Sequence, residues 1–573
     1  MHRGLCGEAE NCEVKVYSPD TTHTPSPQRR LGSSFLDLGR TLQSWMPAFA
    51  GMTALSIFVT GVQAASLTIP KFTDETKSSG LNSVYAGEWR HMVGGGVATF
   101  DCNGDGFPDV YIAGGDNKAK LYINASKRGG ALKFTQAQSG AEFDHVTGAY
   151  PIDIDGDGIT DLVILRSGES KVMKGLGNCK FAEMNKDWNV DGGDAWGMAF
   201  SATWEKGNSW PTLAFGTYID RKFENQPWGH CTDNWLLRPN AAQNAYGPRI
   251  ALTPSYCTQS MLFTDWNRSG TPALRVSNDR EYYEGGQEQL WKILPGEKPT
   301  LFTEAEGWKF TRLWGMGIAS ADIDNSGYPS YFLTSMADQR MQILANGPAK
   351  PSYKEAQFNL GTSAHRPYTG QDQRPSTGWH AQFEDVNNDG RYDLFIAKGN
   401  IDRMPDFAMK DPSNLLLQNE NGKFEEVGDK ANMLNFDEAR GASVADFNLD
   451  GKLDVLIINR HANVRLFRNV SPKLGHWINL RLDNAGPNHD GIGAWIEVTH
   501  HGKVMRREIT VGGGHVSGQL GFWHFGLGED GNTSIHVIWP DGTVSDWQDI
   551  DADKFFVLPK DKTPVEWKAA VAP

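Results

Sequence analysis

The run Asp153-Ile154-Asp155-Gly156-Asp157-Gly158-Ile159-Thr160-Asp161-Leu162-Val163-Ile164-Leu165 decides the fold. Its first nine residues place acidic side chains at positions 1, 3, 5 and 9 and a glycine at position 6. Four apolar, β-favouring residues follow at once. The first part reads as a tight turn that gathers carboxylates, and the second as a short buried strand.

The same pattern returns along the chain. Asp101, Asn103, Asp105 and Asp109 precede Val110–Ala113. Asp385, Asn387, Asp389 and Asp393 precede Leu394–Ala397, and Asp446, Asn448, Asp450 and Asp454 precede Val455–Ile458. A weaker copy holds Asp322, Asp324, Ser326 and Ser330, and a decayed one holds Asp265, Asn267, Ser269 and Ala273. The gap between the second copy and the decayed one is double the others, which places a nearly erased copy near Trp204–Leu213. Seven copies at about 50–63 residues apart match the period of propeller blades.

A second strand, a turn and an aromatic-led strand follow each loop, as in Lys133–Thr135, Lys180–Ala182, Phe302–Glu304, Tyr353–Glu355 and Lys423–Glu425. After the seventh loop no such strand comes, whereas Lys71–Asp74 precedes the first loop with no loop of its own. The N-terminal strand is therefore expected to complete the last blade and close a ring, removing an open sheet edge. The fold class is all-β: a seven-bladed β-propeller over 66–470, a small β-rich C-terminal domain over 471–560 and a tail over 561–573.

Oxygen side chains at positions 1, 3, 5 and 9, a backbone carbonyl at 7 and a turn-forming glycine suit calcium, which takes six to eight hard oxygen ligands. The pattern starts like an EF-hand but lacks its helices and its glutamate at position 12. The four full loops, from Asp101, Asp153, Asp385 and Asp446, are expected to hold about four Ca2+ ions in a structural role. Asp322 and Asp324 would bind weakly, and the Asp265 copy would be metal-free. The competing reading is that Asp-Gly and Asn-Gly pairs only make turns.

The net charge is −14, and residues 1–65 contribute nothing to it, with five Lys/Arg against five Asp/Glu. An acidic surface excludes nucleic acid as the main partner, since phosphate binding needs clustered Lys and Arg. Residues 1–65 read as a targeting region. Arg29, Arg30 and Arg40 precede an apolar run over Ala54–Val62 and a cleavage-like Val62-Gln63-Ala64. That run is too short to span a bilayer, so the mature chain is expected to be exported, periplasmic or extracellular, with no membrane span. Cys102, Cys179, Cys231 and Cys257 remain after the leader. An even count in an exported chain permits two disulfides, with Cys231–Cys257 the favoured nearer pair and Cys102–Cys179 left by elimination, against buried free thiols.

The loops with their apolar followers resemble FG-GAP/VCBS repeats, the blades of integrin α-chain propellers. The segment from Ser471 to Leu558 resembles the ASPIC/UnbV domain, on the residues Ile492–Val498, Arg507–Gly514, His524–Gly528 and Val537–Val544. The pairing of the two is similar to the cartilage acidic protein family and its bacterial relatives. The resemblance implies a secreted calcium-binding propeller active in adhesion or protein contacts, with no catalytic machinery.

Other features were weighed. Gly512–Gly518 fits neither phosphate-loop nor nucleophile-elbow spacing and reads as a turn between strands. His500 and His501 are adjacent in a strand pattern, so they are expected to face opposite sides at a solvated hairpin end. His145, His365 and His380 have no second histidine at ligand spacing. Trp188, Trp196, Trp204, Trp210, Trp228 and Trp235 form either blade packing or a sugar-binding platform. The functional expectation is a binding or adhesion module for a protein or glycan, of no assigned oligomeric state. The alternative is a propeller enzyme, a polysaccharide lyase or hydrolase with its site in the central channel or on divergent blades 3 and 4, drawing on Asp220, Arg221, Glu224, His230 and Asp233. A third option is an envelope-complex component docked through the C-terminal domain.

Overall fold

The computed structural model describes residues 67–220, 230–280 and 285–569, which lie in one compact unit, Ala65–Pro573. The leader reading, Trp228, Arg221 and Glu224 fall outside the described residues.

Strand β1 (Phe72–Asp74) precedes six successive antiparallel four-stranded units. Unit one is β2 (Val97–Phe100), β3 (Asp109–Ile112), β4 (Lys120–Asn124) and β5 (Phe134–Ala137). Unit two is β6 (Val146–Ile152), β7 (Asp161–Gly168), β8 (Lys171–Gly175) and β9 (Phe181–Glu183). Unit three is β10 (Ala195–Thr203), β11 (Thr212–Thr217), β12 (Asn234–Leu237) and β13 (Ile250–Leu252). Unit four is β14 (Thr258–Thr264), β15 (Ala273–Asn278), β16 (Gln289–Lys292) and β17 (Thr300–Leu301). Unit five is β18 (Gly315–Ala321), β19 (Ser330–Ser335), β20 (Arg340–Leu344) and β21 (Tyr353–Glu355), and unit six is β22 (Gly378–Glu384), β23 (Asp393–Lys398), β24 (Asn414–Gln418) and β25 (Phe424–Glu426). The seventh unit has three strands of its own, β26 (Glu438–Ala445), β27 (Asp454–Arg460) and β28 (Arg465–Asn469).

Its fourth strand is β1, paired antiparallel with β28 through Phe72 opposite Asn469 and Asp74 opposite Phe467. The inner strands β2, β6, β10, β14, β18, β22 and β26 each contact the next, and β26 returns to β2. The described residues thus form a closed seven-unit propeller, fastened by the N-terminal strand as the sequence indicated. Phe72 is buried among Phe395, Leu415, Val444 and Val455 of the sixth and seventh units.

Two smaller expectations shift. The aromatic-led strand expected at Phe302–Glu304 is displaced to Thr300–Leu301. Thr303 and Glu306 form a reciprocal capping box that turns the chain into a helical turn, Glu304–Glu306, while Phe302 packs edge-on to Trp266. The C-terminal domain also runs beyond 560, into the stretch read as a tail. Its strands are β29 (His476–Asp483), β30 (Trp495–His500), β31 (Lys503–Glu508), β32 (Gly518–Gln519), β33 (Trp523–Gly528), β34 (Asn532–Ile538), β35 (Gln548–Asp551), β36 (Lys554–Pro559) and β37 (Val565–Trp567). They make two four-stranded sheets, β33-β29-β36-β37 and β31-β30-β34-β35, except that β32 pairs with β2 of the propeller.

The segment Ile509–Gln519, which contains the glycine run read as a turn, fills the propeller axis. Gly518 and Gln519 pair with Ala98 and Thr99 of β2. Ser517 bridges Ala149 of β6, Val511 bridges Ala202 of β10, Gly512 bridges Leu262 of β14 and Gly514 bridges Ile318 of β18. The His515 amide donates to Nδ1 of His380 in β22 (3.2 Å), completing contacts to six inner strands. Glycine is required here by close approach. A Cβ on Gly96 or Gly148 would stand 1.8 or 2.1 Å from the Val516 carbonyl oxygen. The other mouth is crossed by residues 84–96, where Gly94 N donates to His515 Nε2 (3.3 Å), Arg440 Nε donates to the Met92 carbonyl (3.0 Å) and Trp89 stacks on Trp196.

Both disulfides of the favoured pairing are present, Cys102–Cys179 and Cys231–Cys257, each with a Cα–Cα distance of 4.7 Å. The first ties unit one to unit two, and the second ties unit three to the entry of unit four.

Ring closure through β1 makes a direct prediction. Phe72→Ala should lower stability by about 3 kcal/mol or more, the cost of truncating a buried phenylalanine. A denaturant midpoint unchanged from wild type would mean that β1 does not fasten the ring.

Candidate metal centre: the aspartate loops

Each loop joins the inner strand of a unit to its second strand, so all of them open on one end of the propeller. Their backbone is common to the four full loops and to the copies at Asp265 and Asp322. Position 4 is left-handed whatever its residue: Gly104, Gly156, Arg268, Asn325, Asn388 and Leu449 have φ between 54° and 80°. Position 6 is left-handed and always glycine, with φ between 76° and 88°. Loop shape therefore survives where the ligand set has decayed, and the metal reading rests on the side chains.

The position-1 carboxylate closes the turn. Asp446 accepts from the amides of Asp450 (3.0 Å) and Gly451 (2.8 Å), and Asp385 accepts from those of Asp389 (3.0 Å) and Gly390 (2.7 Å). The position-9 carboxylate ties the loop to the third strand. Asp454 accepts from Phe447 N and Asn469 N, Asp393 from Val386 N and Gln418 N, Asp161 from Ile154 N and Gly175 N, and Asp109 from Cys102 N and Asn124 N. All four position-9 side chains are buried.

These carboxylates are held against their preferred charge. Burial lifts Asp109 up to about 8 and Asp446 up to about 7. It pushes Asp161, Asp385, Asp393 and Asp454 well above the usual carboxylate range, with neighbouring loop aspartates adding to the rise. At neutral pH a cation would relieve that cost.

Position 3 supplies a separate sign. Asp155 Oδ1, Asn387 Oδ1 and Asn448 Oδ1 are buried oxygens with no hydrogen-bond partner. Their other polar atoms are placed: Asn387 Nδ2 donates to Asp389 Oδ2 (2.9 Å) and the Thr68 carbonyl (3.1 Å), and Asn448 Nδ2 donates to the Gly130 carbonyl (2.9 Å). An orphaned buried acceptor is costly unless something binds it. In the Asp153 loop, Asp153, Asp155 and Asp161 offer three carboxylate oxygens within 4.8 Å of one another. Asn267 Oδ1 of the decayed copy is also orphaned, but there only Asp265 remains as a carboxylate. Hard oxygens and negative charge coincide at the four full loops and fit a hard divalent cation, and three of the four add an unsatisfied acceptor, since Asn103 Oδ1 accepts from Asp105 N (3.1 Å).

Cationic side chains stand near the loop acids in full and decayed copies alike: Arg391 Nη2 donates to Asp389 Oδ2 (2.5 Å) and Lys452 Nζ lies 3.1 Å from Asp450 Oδ2. Arg238 Nε donates to buried Glu205 (2.6 Å) in unit three, and Arg506 Nη1 of the C-terminal domain donates to Asp322 Oδ2 (3.1 Å) in unit five. Lys174 Nζ also reaches across the Asp153 loop to Asp155 and Asp157.

The C-terminal domain rests on this loop face. Aromatic rings land on position-6 glycines. A Cβ at Gly106 would lie 2.1 Å from Trp567, at Gly390 2.1 Å from His500 and at Gly451 1.8 Å from Trp477. His524 Nε2 meets Asn388 Oδ1 at 2.8 Å. Arg507 donates to both oxygens of Glu384 (2.8 and 2.6 Å), a mostly buried bidentate pair. Glu508 accepts from Asp265 N (2.6 Å) and Thr264 Oγ1 (2.7 Å). Arg506, Arg507, Glu508 and the axial run were missed as contact residues because they lie far in sequence from what they touch.

The other candidates divide. Trp196, Trp210 and Trp235 are buried in unit three and Trp188 is buried just before it, so these four pack the blade, while Trp204 is half-buried. Asp220 N donates to the His230 carbonyl (2.9 Å). His365 is exposed, and His380 is buried beside His515. His145 does have a histidine partner, His91, 54 residues away. His500 and His501 do not face opposite sides. His501 turns left-handed at φ 43°, and both rings approach Asp530, at 3.6 and 3.2 Å. His500 is buried against Gly390 and not solvated.

Burial, with Asp265 nearby, pushes Glu508 up to about 8. Between pH 4 and pH 8 the folded chain then keeps a proton that the unfolded chain releases, so this group makes stability fall as pH rises through that window. Glu508→Gln should narrow the difference in melting temperature between pH 5 and pH 8. A difference as wide as in wild type would remove Glu508 as a source. Separately, Arg507→Ala strands the Glu384 carboxylate and should cost about 3 kcal/mol or more in denaturant unfolding.

Comparison with known proteins agrees with this architecture. The family described as FG-GAP-like repeat matches residues 101–164 and 385–457, and the family described as ASPIC and UnbV matches residues 484–565. No curated protein matches the chain. Among solved structures, BBS1N in complex with ARL6DN, soaked with lead, is 11% identical over 71% of this chain and 97% of its own, with a TM-score of 0.39. Sqt1 of Saccharomyces cerevisiae is 14% identical over 71% and 99%, at 0.36. An Agrocybe aegerita lectin that recognises non-reducing terminal N-acetylglucosamine is 15% identical over 65% and 80%, at 0.28. The chain therefore carries FG-GAP-like repeats at both ends of a β-propeller and an ASPIC and UnbV domain at its C-terminal end.

Proposed function

We propose that the chain is an exported, calcium-stabilised propeller that works as a binding or adhesion module for a protein or glycan. The observation that carries the calcium reading is the orphaned position-3 oxygen beside buried carboxylates in the same loop. Asp101, Asn103, Asp105 and Asp109 would hold one ion, with the matching residues of the Asp153, Asp385 and Asp446 loops holding three more. A bound ion supplies positive charge to carboxylates that burial disfavours, and binding that favours the folded state adds stability. Two disulfides support an exported location. No helix among the described residues is long and apolar enough to cross a membrane.

The binding reading gains support from what is covered. The C-terminal domain takes the aspartate-loop face, Ile509–Gln519 takes the axis, and residues 84–96 cross the opposite mouth. A channel enzyme would need that axis open. The surface left for a partner is the rim and the face away from the C-terminal domain, where loops on a rigid ring suit recognition.

Thermal unfolding of the processed chain, Ser66–Pro573, in excess calcium and in excess chelator tests the metal. A large fall in melting temperature with chelator, restored by calcium better than by magnesium, is expected, with about four ions bound. An unchanged melting temperature and no bound ion would reduce the loops to plain turns. Lys174→Met should raise the calcium affinity of the Asp153 loop about fivefold, the release of roughly 1 kcal/mol of competing ion pairing. Equal affinity in both proteins would show that Lys174 does not contest the site. Glycan and surface-protein arrays probed in calcium test the partner class. Polysaccharide cleavage without retained binding would favour the enzyme.

A further inference from the structure

On the face opposite the C-terminal domain, three side chains from separate segments converge. His91 lies in the turn Trp89–His91 before β2, Asp116 lies between β3 and β4, and His145 lies just before β6. His91 Nε2 is 3.1 Å from Asp116 Oδ1, His145 Nδ1 is 3.3 Å from the same oxygen, and the two nitrogens are 3.4 Å apart. Donors bound at about 2.0–2.1 Å around a tetrahedral ion stand about 3.3–3.4 Å from one another. The triangle already has those edges.

The neighbours of His91 constrain where its hydrogen sits. The Tyr85 hydroxyl donates its one hydrogen to the Val93 carbonyl (2.7 Å). Its contact with His91 Nδ1 (3.3 Å) therefore requires the hydrogen on Nδ1. A neutral imidazole then presents a bare lone pair at Nε2, 3.1 Å from a carboxylate oxygen. Putting the hydrogen on Nε2 instead leaves two lone pairs facing at Nδ1. A doubly protonated ring would satisfy both contacts, but this side chain is fully buried, where charge is costly. With the hydrogen on Nδ1, the Nε2 lone pair is open either to a hydrogen on His145 Nδ1 (3.4 Å) or to a metal ion. Tyr85 then fixes the tautomer, as the outer partner of a metal-bound histidine commonly does.

The site is also built with room. Gly87, at φ 135°, faces it, and a Cβ there would stand 2.5 Å from the His91 ring and 2.8 Å from Asp116 Oδ2. The Asp116 and His145 side chains are about half exposed (50% and 41%), so an ion would reach the site from solvent and keep open positions.

We propose that His91, Asp116 and His145 form a binding site for a divalent transition-metal ion of the zinc class, separate from the aspartate loops. Two imidazoles and one carboxylate suit zinc, cobalt or iron(II), whereas calcium prefers oxygen alone. The ion would pin residues 84–96 to the first two units at the mouth of the propeller.

The test titrates the processed chain with Co2+, read by visible absorption, and with Zn2+ by competition, both in millimolar calcium so that the aspartate loops do not take the probe. One ion per chain is expected at this site. His145→Ala and Asp116→Asn, both at exposed side chains, should each weaken it by about tenfold or more, with calcium-dependent melting unchanged. Affinity and spectrum unchanged in both variants would overturn the proposal. So would a probe ion that is lost in His501→Ala and retained in His145→Ala, since it would belong to the His500–His501–Asp530 group. Absence of any tight Co2+ or Zn2+ site in wild type would overturn it equally.

Discussion

Buried negative charge is the constraint around which this molecule is arranged. Every full loop sinks its position-9 aspartate into the blade, where it ties the loop to the third strand by two backbone amides. That bond set fixes the blade, but it draws a carboxylate out of water beside another at position 1. Amide donors offset part of the cost, and Coulomb repulsion between the two adds to it. The chain meets the remainder in two ways. In three of the full loops the position-3 oxygen is orphaned beside these acids, where a cation would offset the rest. A cationic side chain also stands close to a loop acid, as Arg238 does at Glu205, Arg506 at Asp322 and Arg391 at Asp389.

The second of these arginines belongs to the C-terminal domain, so charge compensation and domain docking are one arrangement. Arg506, Arg507 and Glu508 stand in a row at the end of β31, and each engages a different inner-strand end or loop. The chain then enters the axis directly. Seven inner strands converging on one line leave a narrow channel, and β32 with its preceding glycines fills it by pairing backbone to backbone. Glycine is the residue that allows such approach, since any Cβ on the facing strand would overlap the inserted carbonyl. The C-terminal domain is thus the stopper of the ring.

Much of this was legible in the sequence, and the divide follows contact distance. The aspartate loops are nine residues long, so their oxygen side chains are written contiguously. Ring closure was readable from one missing strand at the end and one surplus strand at the start. The disulfides followed from an even count and a short separation. The displaced strand at Phe302 failed because a capping box outcompeted an aromatic pattern, and His501 failed because a left-handed turn breaks the two-residue alternation of a strand. Glu384 with Arg507, and His91 with Asp116 and His145, left no signal. Their members are brought together by blade-to-blade and domain-to-blade packing, which carries no local period.

The histidine–aspartate group lies at the end of the ring opposite the C-terminal domain. Residues 84–96 reach Arg440 and Arg460 of the last unit, Thr147 of the second and Trp196 of the third. They span the seam that β1 fastens, at the end opposite the C-terminal domain. One end of the ring is therefore held by a whole domain and the other by a short strap anchored on neighbouring blades. A strap needs fixing where its flanks are weakest, and the His91 turn is where it passes over Asp116 and His145. Rigidity at that end matters for recognition, because ordering a loop at the moment of binding subtracts from affinity. An ion held by His91, Asp116 and His145 would add such fixing at the end of the ring that the C-terminal domain leaves uncovered.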